Sequence, residues 1–233
     1  MGNNTMKYIV HYGAMRSLGV FSHDNMVLRY GNRVIVKTSR GQEVGTVRCE
    51  VTSNVLEKLE GGFIEDRILR SMTEADEIEY RRLQSTAKEK QECCLRIVQE
   101  MGIEMEVVLV EHIFGGERII VYYTADGRID FRELVKVLVA EFQTRIEMRQ
   151  INIREGMKLL PNLGECGREV CCGCFLHEAP TVTIKMAKLQ RVTLDPAKIS
   201  GHCGRLKCCL RYEYDCYVEK QKKSPDDKPS KKS

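Results

Sequence analysis

The stretch "GECGREVCC" begins at Gly164, and 37 residues later "GHCGRLKCC" begins at Gly201. Six of the nine positions are identical, and each copy reads Cys, four residues, Cys, Cys, with Gly-Arg directly after the first Cys. Thiols at this density have three fates: metal ligation, redox pairing, or burial as small apolar side chains. The chain holds 11 cysteines, an odd number, and eight of them fall after residue 160. No secretion signal precedes them, and in a reducing compartment such a cluster points to metal before disulfides. Neither copy contains a C-x-x-C beside a thioredoxin-like pattern, and a repeated six-residue identity exceeds what simple burial requires. The region around the repeat also has few long apolar runs. Its order has to come partly from something other than a hydrophobic core, and metal–thiolate bonds supply that in small folds.

Two loops together supply six thiols, Cys166, Cys171, Cys172, Cys203, Cys208 and Cys209, where one site needs four. Zinc and iron–sulfur clusters both accept four cysteines. Structural zinc usually takes C-x₂-C knuckles, so the four-residue spacing and adjoining pairs favour iron–sulfur, with zinc as the alternative. The Gly after the first Cys permits positive φ and a tight turn. Arg168 and Arg205 stand where a guanidinium can offset thiolate charge from outside the ligand set, or pair with a surface carboxylate. Side chains of consecutive residues in an extended segment point opposite ways, so each vicinal pair is expected to divide between two roles. His177 and His202 lie near the loops, and His202 reads as a neighbour of a ligand rather than a ligand. Cys174 and Cys216 lie outside the repeat and read as spare thiols.

The remainder of the chain has the patterning of an α+β protein. Residues 1–70 contain "YIVHY", "RVIVKT" and "EVGTVRCEV", short β-branched runs separated by Gly-containing turns, which predict a small β-barrel-like sheet. Residues 71–155 predict a central α-β-β-α-β layer. A long helix begins after Ser71 and stops at Gly102, with Ile78, Leu83, Ala87, Cys94, Val98 and Met101 as its apolar stripe. Cys94 on that stripe reads as a buried structural thiol, and the periodicity leaves Cys93 open. "MEVVLVEHIF", "GGE" and "RIIVYYT" form a hairpin signal. Asp130 and Glu133 predict a capping box for a helix whose Phe131, Leu134, Val135, Leu138 and Phe142 face the core. A last strand, "RIEMRQI", follows. Residues 156–218 form the cysteine-rich metal module, and 219–233 a disordered basic tail.

Net charge is +4, but the last fifteen residues hold six Lys against three acids, leaving +1 for residues 1–218. A diffuse nucleic-acid-binding charge is therefore not expected, and direct RNA contact stays open. No apolar run is long enough to span a bilayer and the start carries no apolar signal segment, so cytoplasmic residence without membrane insertion is expected. No paired-carboxylate, Ser/His/Asp or phosphate-loop pattern occurs, "GGFIED" at Gly61 lacking the Gly-Lys-Ser/Thr of a P-loop, so the chain is expected not to be an enzyme.

The sequence resembles the bacterial YaaT family, also called RicT, over nearly its whole length. The resemblance rests on "GNRVIVKTSRGQEVGTV" and "GERIIVYYTADGRIDFRELVKVLVAEFQTRIEMRQI", and is sharpest at "CGREVCCGCFL" and "IKMAKLQRVTLDPAKISGHCGRLKCCLRYE". It implies a non-catalytic subunit that joins two small helical partners, YmcA-like and YlbF-like. That complex carries [4Fe-4S] clusters, assists the endoribonuclease RNase Y in mRNA processing, and supports sporulation signalling. It also implies that Cys166, Cys171, Cys172, Cys203, Cys208 and Cys209 are the cluster cysteines. Cys174, Cys216 and the Cys93–Cys94 pair depart from the family pattern. A redox-sensing or electron-transfer protein and a zinc-stabilised RNA-binding scaffold are the competing readings.

Overall fold

The computed structural model describes residues 5–24, 26–52, 65–159, 162–176 and 181–223. The chain divides into two compact units, Met1–Asn152 and Ile153–Ser233. The first contains both the predicted barrel and the predicted α+β layer, and the second contains the repeated thiol motif.

Five strands close the barrel: β1 (Thr5–Tyr12), β2 (Ser17–Asp24), β3 (Arg33–Thr38), β4 (Gly41–Glu50) and β5 (Glu65–Ser71), in the order β1-β2-β5-β3-β4. All pairings are antiparallel except β2 with β5, a short parallel pairing. The β-branched and aromatic residues that mark these runs fill the interior, with Tyr8, Val10, Tyr12, Phe21, Val34, Val36, Val47 and Ile68 in one apolar cluster. Closure leaves no edge of this sheet open to pairing. At Gly45 of β4 the neighbouring β1 leaves no room for a side chain. A Cβ there would lie 2.4 Å from Val10 Cγ1.

Helix α1 (Glu74–Glu100) starts at Thr73, whose hydroxyl accepts from the Asp76 N–H while the Asp76 carboxylate accepts from the Thr73 N–H. Arg70 pairs with the same carboxylate, holding it well below the usual Asp range. The helix stops at Gly102, whose φ of +61° suits only glycine without strain. Its buried stripe is Leu83, Cys94, Ile97 and Val98. Ile78 is 70% exposed and Met101 38%, so the predicted stripe is too long at both ends. Ile97, absent from that stripe, packs into the core with Cys94 and Val98, whereas Met101 is the C-cap residue beyond the last helical turn.

Strands β6 (Glu106–His112) and β7 (Arg118–Thr124) form the expected hairpin, and β8 (Arg145–Gln150) joins β7 in parallel after α2 (Arg132–Phe142). Val107, Val110, Ile119 and Val121 pack with Cys94, Ile97 and Val98 of α1 and Leu134 and Leu138 of α2. Each large aliphatic side chain among them, fully buried, contributes roughly 1.5–3 kcal/mol of transfer free energy. The predicted capping box on α2 does not form. Phe131 occupies the N-cap, and Asp130 Oδ1 accepts from the Arg132 N–H at 3.1 Å while Glu133 pairs with Lys136. Packing of the Phe131 ring against the core has displaced the cap by one residue.

Where barrel and sheet meet, the polar groups satisfy one another. Arg40 donates to both oxygens of buried Glu43, at 3.1 and 2.5 Å, and to the Tyr122 hydroxyl at 2.9 Å. Thr38 Oγ1 donates to Glu43 at 2.5 Å, Tyr122 donates to Glu111 at 2.7 Å, and the Ala14 N–H closes the set on Glu111 at 2.6 Å. A buried ion pair survives desolvation only with such additional hydrogen bonds.

Candidate metal centre

Among the described residues the second unit contains short helices, α3 (Ile153–Leu159), α4 (Cys171–Cys174), α5 (Ile184–Leu189), α6 (Pro196–Ile199), α7 (Cys208–Tyr212) and α8 (Tyr214–Lys223). Arg211 pairs with Asp215 at 3.0 Å across the α7–α8 junction. Ala187, Ile199 and Leu210 make a small apolar cluster, flanked by Val182, Val192 and Leu206.

Both copies of the motif fold into the same device. Gly164 N–H donates to the Arg168 carbonyl at 2.7 Å, and Gly201 N–H to the Arg205 carbonyl at 2.8 Å. Gly167 and Gly204 each return a 2.9 Å bond to the first glycine's carbonyl. These two glycines have φ of +74° and +70°, the left-handed turn anticipated for the residue after the first cysteine. Matching bridges, Leu163 with Glu169 and Ser200 with Leu206, close each loop. Val170 and Lys207 then enter helices α4 and α7 with nearly identical backbone angles. Phe175 and Tyr212, again 37 residues apart, meet edge to face at 4.9 Å between ring centres.

The two devices face one cavity of about 360 Å3, and all six cysteines of the repeat line it, with Met157, Val170 and Leu206 as apolar wall. The vicinal pairs begin helical turns rather than lying in extended chain, so adjacent thiols are about 100° apart and all four face the cavity. The expectation that consecutive cysteines diverge is corrected by that local helix. Among the described residues no three His, Cys, Asp or Glu are grouped tightly enough to hold a single ion.

Electrostatics differ sharply around this ring. A hydrogen bond from the Cys172 thiol holds Cys208 well below the usual thiol range, with Arg154 and Lys158 of α3 adding to the effect. The same hydrogen bond, together with burial, pushes Cys172 up. Burial raises Cys171 and Cys209 as well, helped by neighbouring thiolates and by Glu213 respectively. Six thiolates cannot coexist here without a cation to offset them, which is the condition that a thiolate-ligated metal satisfies.

Arg168 and Arg205 are exposed and do not line the cavity; only their carbonyls serve the loops. The positive charge comes instead from Arg154, 5% exposed, whose Nη2 donates to the Leu206 carbonyl at 3.1 Å, and from Lys158 one helical turn later. The i,i+4 spacing of these two residues is the signal in the sequence that marks them. Lys207 crosses between the loops to Glu165 at 2.5 Å. His202 lines the cavity, Cys174 and Cys216 do not, and His177 lies outside the described residues. Cys94 is fully buried in the core of the first unit, as its stripe predicts, and Cys93 receives a 3.5 Å contact from Arg96.

Over 206 residues the chain is 40% identical to the stage 0 sporulation protein YaaT of Bacillus subtilis (strain 168), covering 88% of this chain and 74% of that protein. The chain belongs to the YaaT family. Residues 66–151 match the PSP1 C-terminal conserved region, and residues 181–224 match the third domain of PSP1-like proteins. The second YaaT-family thiol loop lies inside the latter match, and the first lies between the two. An uncharacterised protein of Schizosaccharomyces pombe is 30% identical over 172 residues, 60% of this chain and 22% of its own length. No solved structure matches, and no helix among the described residues is long and apolar enough to cross a membrane.

Proposed function

We propose that this YaaT-family chain is a non-catalytic regulatory subunit that carries a [4Fe-4S] cluster. In this reading it acts with YmcA-like and YlbF-like helical partners to direct RNase Y-dependent mRNA processing, and so supports sporulation-type developmental regulation. The observation that carries the reading is the ring of six cysteines around one cavity. Cys166, Cys171, Cys172, Cys203, Cys208 and Cys209 would supply the ligands, and a cluster bound there would contribute cross-linking of the two loops and a redox-active charge. A single zinc ion with thiolates about 2.3 Å away fills little of a 360 Å3 cavity, so the volume favours a polynuclear centre. Arg154 and Lys158 offset the negative charge of such a centre. The family's sporulation relative supports the developmental part of the reading.

Anaerobic purification followed by visible absorbance and iron, sulfide and zinc determination tests the cofactor. Brown protein with iron and sulfide in equal amounts is expected. Colourless protein with stoichiometric zinc, or protein that takes up no iron on reconstitution, rules the cluster out. Loss of the gene is expected to leave particular polycistronic transcripts uncut, and unchanged transcript ends would remove the processing role.

A further inference from the structure

Where α1 packs on the sheet of the first unit, an amine meets an imidazole. Lys90 of α1 places its Nζ 3.4 Å from Nδ1 of His112, the last residue of β6. The contact is held from both sides. Gln91, the next residue of the helix, donates from Nε2 to the Val108 carbonyl at 3.1 Å and ties this turn of α1 to β6. Beyond the imidazole, His112 Nε2 lies 3.4 Å from the carbonyl oxygen of Gly116, in the β6–β7 turn. A carbonyl only accepts and an ammonium only donates, so one tautomer satisfies both contacts. Nε2 carries the hydrogen, and Nδ1 turns its lone pair to Lys90.

A nucleophile, a base within hydrogen-bond reach and a third group that orients the base form the arrangement that activates side chains for covalent chemistry. Here these are Lys90 Nζ, His112 Nδ1 and the Gly116 carbonyl. A lysine in an ordinary surface pair faces a carboxylate, as Lys136 faces Glu133 at 2.8 Å, and the carboxylate keeps the ammonium charged. Lys90 instead faces a neutral acceptor, with the Phe142 ring 5.7 Å from the same nitrogen. The acid on this face of α1, Glu79, is taken by Arg82, whose Nε and Nη2 donate to it at 2.8 Å each. Burial, with Arg82 as a second contribution, pushes the Lys90 ammonium below the usual lysine range. Burial and the charge of Lys90 hold the imidazole low as well, so it stays a neutral base. Lys90 and His112 are both partly exposed, which leaves the amine open to a small reagent.

We propose that Lys90 is an acylation site, taking an acyl group from an acyl phosphate with His112 as the base. His112 Nδ1 first accepts a proton from the ammonium and passes it to water. The free amine then attacks the acyl carbon and forms the N–C bond. The C–O bond to phosphate breaks, phosphate leaves with the electron pair, and one amine proton passes to His112. An amide and inorganic phosphate result, no oxidant or reductant is needed, and Lys90 loses its charge. The site lies in the first unit and is independent of what the thiol cavity holds.

In the test, full-length protein is incubated with acetyl phosphate, and acetylation at each lysine is followed over time by peptide mass spectrometry. Lys88, two residues away and exposed, is the internal reference. Lys90 is expected to react about tenfold faster than Lys88, a modest share of what a base aligned with its substrate contributes. His112→Gln keeps a donor for the Gly116 carbonyl but has no basic nitrogen. It should bring Lys90 down to the rate of Lys88 and leave Lys88 unchanged. Equal rates at the two lysines in folded wild type, or a Lys90 rate that His112→Gln leaves intact, overturns the proposal. Should His112→Gln not fold, wild type unfolded in urea takes its place. The two lysines are then expected to react alike, and a preference for Lys90 that survives unfolding overturns the proposal by tracing it to local sequence.

Discussion

Cys94 and Cys208 are the same side chain in opposite circumstances. Cys94 is fully buried among Ile97, Val98, Leu134 and Leu138, and burial pushes its thiol up to about 11. Cys208 begins a short helix at the wall of a cavity, where a neighbouring thiol and two cations hold its thiol below the usual range. The difference extends to the units that contain them. The first unit packs barrel and sheet around apolar clusters and pairs its buried charges internally. The second gathers six thiols of one cavity beside the cations Arg154 and Lys158, with only a small apolar cluster to pack around.

That contrast can be broken at several points. The largest effect is expected from stripping the proposed metal centre. If the second unit is ordered by thiolate–metal bonds, removal of the metal costs on the order of 10 kcal/mol in that unit. Hydrogen exchange should then show loss of protection in residues 181–223 while β6, β7 and α2 keep theirs. Equal protection before and after chelation would show that the second unit holds itself together.

Next in size is Arg40→Ala, which leaves Glu43 buried without its bidentate partner. Destabilisation of the first unit by roughly 3–5 kcal/mol is expected, read by urea unfolding followed through the tyrosines. A change below about 1 kcal/mol would mean that water replaces the guanidinium at little cost.

The Cys94 thiol supplies a pH test. Its folded pKa lies above the ordinary value of 9.0, so its stabilising share is complete below about pH 9 and disappears as pH rises to about 11. A rise from 9.0 to about 11 corresponds to on the order of 3 kcal/mol. The stability difference between wild type and Cys94→Ala should therefore shrink across that window, and a constant difference would contradict the burial argument. The smallest effect belongs to the α1 cap. Thr73→Ala removes the hydroxyl that accepts the Asp76 N–H and should cost about 1 kcal/mol, while Ser85→Ala on the same helix, distant from any cap, should cost almost nothing.

Legibility in the sequence follows the same division. The barrel strands, the long helix and the hairpin are readable because alternation of residues such as Tyr8, Val10 and Tyr12, or the spacing of Cys94 and Val98, reports directly on which face is buried. The failures lie at the ends of elements. Ile78 and Met101 continue the stripe in sequence but run past the surface that covers it, and Phe131 captures the cap position through a ring contact that local pattern does not encode. In the second unit the thiol loops are legible from their repetition, and the glycine turns from chemistry. The cations are legible only as an i,i+4 pair, because Arg154 and Lys158 lie on a separate helix before the motif, whereas Arg168 and Arg205 sit inside it and look like the natural counter-charges. Sequence proximity is a poor guide to charge proximity there.

The matching hydrogen bonds of the two thiol loops have an experimental consequence. Every residue of one loop has a twin 37 positions away in the same backbone setting, so each substitution carries its own internal control. Gly167→Ala and Gly204→Ala should impose the same left-handed strain, about 1–2 kcal/mol each. Cys166→Ser and Cys203→Ser remove the same atom from the same turn. Any difference between twins therefore measures what the duplicated backbone does not share: the three side chains that differ between the loops, Arg154, Lys158 and the Glu165–Lys207 tie. Near-symmetry turns the cradle into its own reference state, against which its asymmetric charges can be weighed one at a time.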